Sequence, residues 1–499
     1  MSILRGSEHL RQSTSQTPGC ILFPLQGPAV PFVEVGTYPT RTGNTVTPWI
    51  DGEPAFDRIC EAIESAQRSV WATIAFMWST FRMPRDRGSA LDVLERAARR
   101  GLDVRLIFWR PDDETASLRT NAFFGSPAHL ELLARCYPSV NIRWDRASPG
   151  YCQHQKTWLI DGLDDGGTSF IGGINLNPHS LVRPDHQGEH QNHDIYVEVA
   201  GPAVADVCHN FVQRWNEASE RERSDGRWGP RSAETLPYPR GLPASRGNAV
   251  VQIQRTTHAS LYQRGDPPPG GASFPIALGE KTNLCQYPTA IRAAQRTIYL
   301  EHQYLDVPEI ITALDDALTR GVRVVAMVPV VPVISSDPLA RAEYSDIIAR
   351  RARLARHERF TLCGMATRGR SGTRTPVYVH SKVILIDDEW ASIGSCNVHH
   401  YSMTGNGELN AAYHDPASVR ALRVELFREH LGSDTSGQAD TDALVQFQLV
   451  AQANRRRHEL NDPAWEGMAI ALDARSYGAV QSTTTTPPSS SHMSPPPVP

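Results

Sequence analysis

The sequence predicts an α/β fold built as two homologous α/β sandwich lobes, a duplicated arrangement. Three observations predict it. The two halves echo each other at a shift of about 220 residues, far longer than a solenoid period. Helical stretches alternate with short apolar strands, which implies a mainly parallel or mixed sheet between helical layers in each half. Residues 226–247 (GRWGPRSAETLPYPRGLPASRG), between the halves, are rich in Pro and Gly and read as a linker.

The repeated elements follow one another in the same order in both copies. Residues 65–76 (SAQRSVWATIAF) match 293–304 (AAQRTIYLEHQY), each the end of a helix running into a β-rich strand. Residues 96–109 (RAARRGLDVRLIFW) match 316–329 (DALTRGVRVVAMVP), with Gly101 and Gly321 closing a helix before a buried strand. HQKTWLIDG (154–162) matches HSKVILIDD (380–388), and FIGGINLN (170–177) matches SIGSCNVH (392–399). The expected partition is an N-terminal extension (1–30), a first lobe (31–225), the linker (226–247), a second lobe (248–435), a C-terminal helical extension (436–481) and a low-complexity tail (482–499). RGDPPPGGASFP (264–275) reads as a loop inserted early in the second lobe.

A net charge of -4 and a pI near 6.5 argue against a protein made to coat nucleic acid, so no nucleic-acid partner is expected. The eight cysteines form no CxxC pair and read as free thiols in a reducing compartment. No N-terminal leader is legible, and no stretch reaches the roughly 18 apolar residues that a membrane span needs. The expected location is the cytoplasm, peripherally on membranes, with export by a route lacking a signal peptide left open.

Only three lysines occur, Lys156, Lys281 and Lys382, among fifty basic residues, and two of them follow a histidine by two positions. Both copies contain His-x-Lys-x-x-x-x-Asp: His154, Lys156 and Asp161, then His380, Lys382 and Asp387. On a strand, residues i and i+2 share a face, so each histidine and lysine should project together. Lysine offers a compact point charge with rotatable donors, suited to gripping one phosphoryl oxygen where a planar guanidinium needs another geometry. The pattern points to phosphate.

The paired motifs resemble the HKD motifs of the phospholipase D superfamily. The second copy continues to Gly394, Ser395 and Asn397 at that family's spacing; the first gives Gly172, Gly173 and Asn175 after a longer turn, with Gly where the family usually has Ser. AIRAAQRTIYLEHQYL (290–305) resembles the segment leading to Glu-Asn-Gln-Tyr in phospholipase D proper, here Glu301, His302, Gln303 and Tyr304, and Tyr401 stands where arginine is usual. The resemblance implies a phospholipase D that hydrolyses a glycerophospholipid to phosphatidic acid, with phosphatidyl transfer in a cardiolipin or phosphatidylserine synthase as the alternative, then a nuclease, then a non-catalytic scaffold. The apparent lack of N-terminal membrane helices speaks against cardiolipin synthase.

The same resemblance implies the site, with the active site between the two lobes. His154 is the nucleophile and His380 the general acid and base. Lys156, Lys382, Asn175 and Asn397 hold the charged oxygens. Asp194 and Glu408, on strands after the two motifs, orient the imidazoles. Gly172, Gly173, Gly394, Ser395, Glu301, Gln303 and Tyr304 are expected to bind substrate, while Asp161 and Asp387 make structural hydrogen bonds. The expected partners are a phospholipid at a membrane surface and a water or alcohol acceptor, with the monomer acting as an internal pseudo-dimer. No cofactor is expected. The histidines at 179, 186, 190 and 193 fit no common zinc spacing, so they read as a polar loop and no metal is expected.

Overall fold

The computed structural model describes residues 30–110, 132–133, 135–218, 235–333, 338–369 and 372–479. The N-terminal extension up to residue 29, the first part of the linker and the tail lie outside the described residues. In the first half the strands are β1 (Arg41–Ile50), β2 (Ser69–Ile74), β3 (Asp103–Trp109), β4 (Asn141–Asp145), β5 (Thr157–Ile160), β6 (Thr168–Gly172), β7 (Asn192–His193) and β8 (Ile195–Ala200). The second half adds β9 (Ala249–Thr257), β10 (Glu280–Lys281), β11 (Thr297–His302), β12 (Arg323–Met327), β13 (Phe360–Arg368), β14 (Arg374–Val379), β15 (Lys382–Ile386), β16 (Trp390–Gly394), β17 (Glu408–His414) and β18 (Ala469–Ala471).

Two mixed sheets of matching order result. The first runs β1-β8-β6-β5-β2-β3-β4, parallel only across β2, β3 and β4. Its counterpart runs β9-β17-β16-β15-β11-β12-β13, parallel only across β11, β12 and β13. Strand β1 pairs with both β8 and β9 and joins the two sheets, while β14 and β18 add to β13. The duplication read from the sequence is thus a duplication of topology, and the two-lobe α/β fold is observed.

Alternation along the strands distributes the core. Val70, Ala72 and Ile74 of β2 face outward, packed with the helices Gly52–Ser65 and Ala90–Arg99. Trp71 faces inward with the helix Val204–Glu217. In the second lobe Ile298 and Leu300 face the outer helices Thr282–Ala293 and Pro308–Thr319, whereas Tyr299 faces inward with Pro416–Leu431 and Asp440–Glu459. The inner apolar layer is continuous between the sheets. Cys285 is disulfide-bonded, which corrects the expectation of free thiols throughout, since scattered spacing does not reveal which thiols meet in space. No helix among the described residues is long and apolar enough to cross a membrane.

Candidate active site

Both motif histidines stand just before their strands, not inside them, so the expectation of a shared strand face needs correction. Each lysine folds back instead: Lys156 Nζ donates to the His154 carbonyl at 2.7 Å, and Lys382 Nζ donates to that of His380. The strands stop because the chain crosses to the other lobe. The His154 N–H donates to Gly407 O at 2.8 Å, and the Gly407 N–H donates to Cys152 O at 2.8 Å. In the matching strap β7 runs parallel to β14, and the N–H groups of His380 and Ser381 donate to His193 O at 2.8 and 3.1 Å.

These straps exchange the acids between the lobes. Glu408 follows Gly407, and its carboxylate accepts from His154 Nδ1 at 3.1 Å. Asp194 follows His193, lies between β7 and β8, and pairs with His380 Nδ1 at 2.5 Å. Ser395 Oγ donates to Glu408 at 2.5 Å. At the corresponding place in the first lobe a Cβ on Gly173 would run into the Asp194 carboxylate. The shorter acid lies against a glycine and the longer acid against a serine, which accounts for Gly where the resemblance led one to expect Ser.

Burial sets the electrostatics. It lowers His154, and burial together with Lys382 and Lys156 lowers His380 well below the ordinary histidine range. The same desolvation brings Lys156 down to about 7 and Lys382 to about 8. The two acids diverge. Burial lifts Asp194 to about 7 against the pull of Lys382, whereas burial would also lift Glu408 but His154 and Lys156 hold it below the usual range. Asn175 and Asn397 are buried, and neither Oδ1 has a partner within the described protein. Asp161 accepts the N–H groups of Gln67, Arg68 and Ser69, and Asp387 those of Gln295, Arg296 and Thr297, all at 2.7–2.8 Å. These two aspartates clamp the start of β2 and β11 and stay outside the site.

Gln303 donates to the hydroxyls of Tyr304 and Tyr378 at 3.2 and 2.7 Å, and Tyr378 lies against His380 with ring centroids 6.2 Å apart. From Tyr304 an aromatic wall runs through His399 and Tyr401 to Tyr151, with Tyr401 41% exposed. Sequence reading missed Tyr151 and Tyr378; their places three and two residues before the motif histidines are the only signal. Glu301 does not join the site. Alternation on β11 puts it on the inner face with Tyr299, whose hydroxyl donates to it at 2.6 Å, and His193 Nε2 lies 3.0 Å away. Gly172 and Gly394 act as spacers: a Cβ on either would meet the neighbouring strand, at Ile195 O and at Asn410.

A match to the family described as "Cardiolipin synthase, PLD-like domain" spans residues 59–215 and 287–430, one segment in each lobe. The chain belongs to this phospholipase D-like family. Members similar to it include the cardiolipin synthase of Listeria innocua, 26% identical over 398 residues (78% of this chain, 70% of the relative), and cardiolipin synthase 1 of Staphylococcus epidermidis, 26% identical over 396 residues (76% and 66%). The crystal structure of phosphatidylserine synthase from Haemophilus influenzae superposes with a TM-score of 0.53 at 15% identity, covering 84% of this chain and 95% of that one, and supports the fold. The chain is an enzyme of the phospholipase D superfamily acting on phosphodiester bonds. Two expectations are corrected: the affinity with phospholipase D proper, and hydrolysis of phospholipid to phosphatidic acid. Both give way to the match with relatives named cardiolipin synthase and with the family model of that description.

Proposed function

We propose that the protein is a phosphatidyltransferase of the cardiolipin synthase kind, moving a phosphatidyl group from one phospholipid to a lipid hydroxyl. The buried histidine–carboxylate contacts support its two-step chemistry, and the similarity to relatives named cardiolipin synthase supports a lipid acceptor. Ionised Glu408 accepts from Nδ1 of a neutral His154, which leaves the Nε2 lone pair free for attack. Asp194, raised by burial to about 7, can carry the proton that it shares with His380 Nδ1; the imidazole's own N–H is then on Nε2, ready for a leaving group.

His154 Nε2 attacks the donor's phosphorus, the bond to the headgroup oxygen breaks, and His380 delivers a proton to that oxygen. The acceptor hydroxyl then gives its proton to His380 and attacks phosphorus, breaking the phosphorus–nitrogen bond. Two displacements give net retention at phosphorus. Lys156, Lys382, Asn175 and Asn397 hold the non-bridging oxygens, and the substrate's negative charge favours both lysines in their charged form. The amphipathic rings of the aromatic wall from Tyr304 to Tyr151 suit a headgroup at a membrane boundary.

Trapping tests the reading. With a radiolabelled phosphatidyl donor bearing a good leaving group, His380→Ala should accumulate a phosphatidyl-histidine adduct and His154→Ala should not. Label retained by His154→Ala, with none on His380→Ala, would reverse the assignment. No adduct on either would remove the two-step mechanism.

A further inference from the structure

The loop read as merely polar behaves otherwise in its middle and at its end. His179 and His190 are exposed, but the side chains of His186 and His193 are 0% exposed. They meet Asp51, just before the helix Gly52–Ser65, and Glu429 from the helix Pro416–Leu431 of the other lobe. His186 Nε2 lies 3.0 Å from Asp51 Oδ2 and 2.9 Å from Glu429 Oε1; His193 Nδ1 lies 3.1 Å from Asp51 Oδ1 and 3.2 Å from Glu429 Oε1. We infer that Asp51, His186, His193 and Glu429 form a structural site for a divalent first-row cation, with Zn2+ the best fit, that clamps the two lobes beneath the active site.

Two observations carry this inference beyond a cluster of ion pairs. Asp51 Oδ2, His186 Nε2, His193 Nδ1 and Glu429 Oε1 are buried and make no hydrogen bond within the described protein despite these short approaches. Their lone pairs converge rather than pair, and bonds of about 2.0–2.1 Å to one tetrahedral ion would set neighbouring ligand atoms about 3.3 Å apart. Second, His193 Nε2 faces Glu301 at 3.0 Å and Tyr299 donates to Glu301 at 2.6 Å. A carboxylate behind a ligating imidazole fixes its tautomer and strengthens its donor nitrogen.

Two imidazoles and two carboxylates give four ligands and two negative charges, which a divalent ion neutralises in a buried place; nitrogen ligands favour zinc over magnesium or calcium. A cleft of about 870 Å³ lined by Asp185, Gln187, Arg428 and Glu429 offers a path in from solvent. The site also reaches the acid beside His380. Asp51 Oδ1 accepts the Asp194 N–H at 3.2 Å, and the Asp51 N–H donates to Asp194 O at 2.8 Å. The cation would therefore hold the strap that presents Asp194.

The full-length protein, purified without chelator, should carry about one equivalent of Zn2+ per chain by elemental analysis. Removing it with a strong chelator should lower the melting temperature by roughly 5 °C or more, reversibly with Zn2+ and not with Mg2+. Co2+ added to stripped protein should give the visible absorption of a tetrahedral site, lost in His186→Gln and Glu429→Gln and kept in His179→Ala and His190→Ala. The inference fails if stripped and Zn2+-treated protein melt at the same temperature, or if Co2+ gives no such band. It fails equally if both glutamine variants bind Co2+ as the parent does. Should those variants not fold, the measurements on the parent chain decide alone.

Discussion

Lysine is used almost nowhere except in the two motifs, and the structure gives the reason a residue at a time. Lys156 and Lys382 are buried and loop back onto the carbonyls of their own histidines, a path that places a compact ammonium where a planar guanidinium would set its donors differently. Lys156→Arg and Lys382→Arg should each cut turnover about a hundredfold with little change in melting temperature, while Lys281→Arg stays near the parent. Steady-state kinetics beside a melting curve check this. The same lysines, together with Asp194 raised to about 7, should set the alkaline limb of activity. Their charged forms grip phosphate, and because they titrate near 7 and 8 instead of above 10, kcat/KM should fall as pH rises through that range; His154, lowered below 6.5, sets the acid limb. A profile flat to pH 9 would contradict the assignment. Gly173→Ser should displace Asp194 and reduce kcat, a pairing invisible in the sequence because it needs the acid's position in space.

At the scale of elements, the sequence made the duplicated strands and the paired motifs readable, since these recur in order. It misplaced the histidines. They precede β5 and β15 because a strap to the opposite lobe ends each strand, and no local pattern encodes a pairing with residues more than 180 positions away. The exchange of Glu408 to His154 and of Asp194 to His380 was hidden for the same reason, as was the inward face taken by Glu301. Asp161 and Asp387 each capture three backbone N–H groups at a helix-to-strand corner. Asp161→Ala should therefore cost about 1–3 kcal/mol of stability, read by denaturant unfolding, with kcat nearly unchanged.

Across the whole molecule, β1 links both sheets, the inner apolar layer is shared, and each lobe supplies the acid that orients the other's histidine. Neither half contains a complete site. On the proposed mechanism one chain does, so activity per chain should be independent of protein concentration across a dilution series. The most direct test of the central claim follows the fate of the phosphatidyl group. Purified protein with vesicles of phosphatidylglycerol should release glycerol and form the diphosphatidyl product in equal amounts, with retention at a phosphorus made chiral by isotopes. Phosphatidic acid as the main product whatever lipid hydroxyl is offered, or net inversion at phosphorus, would contradict the account.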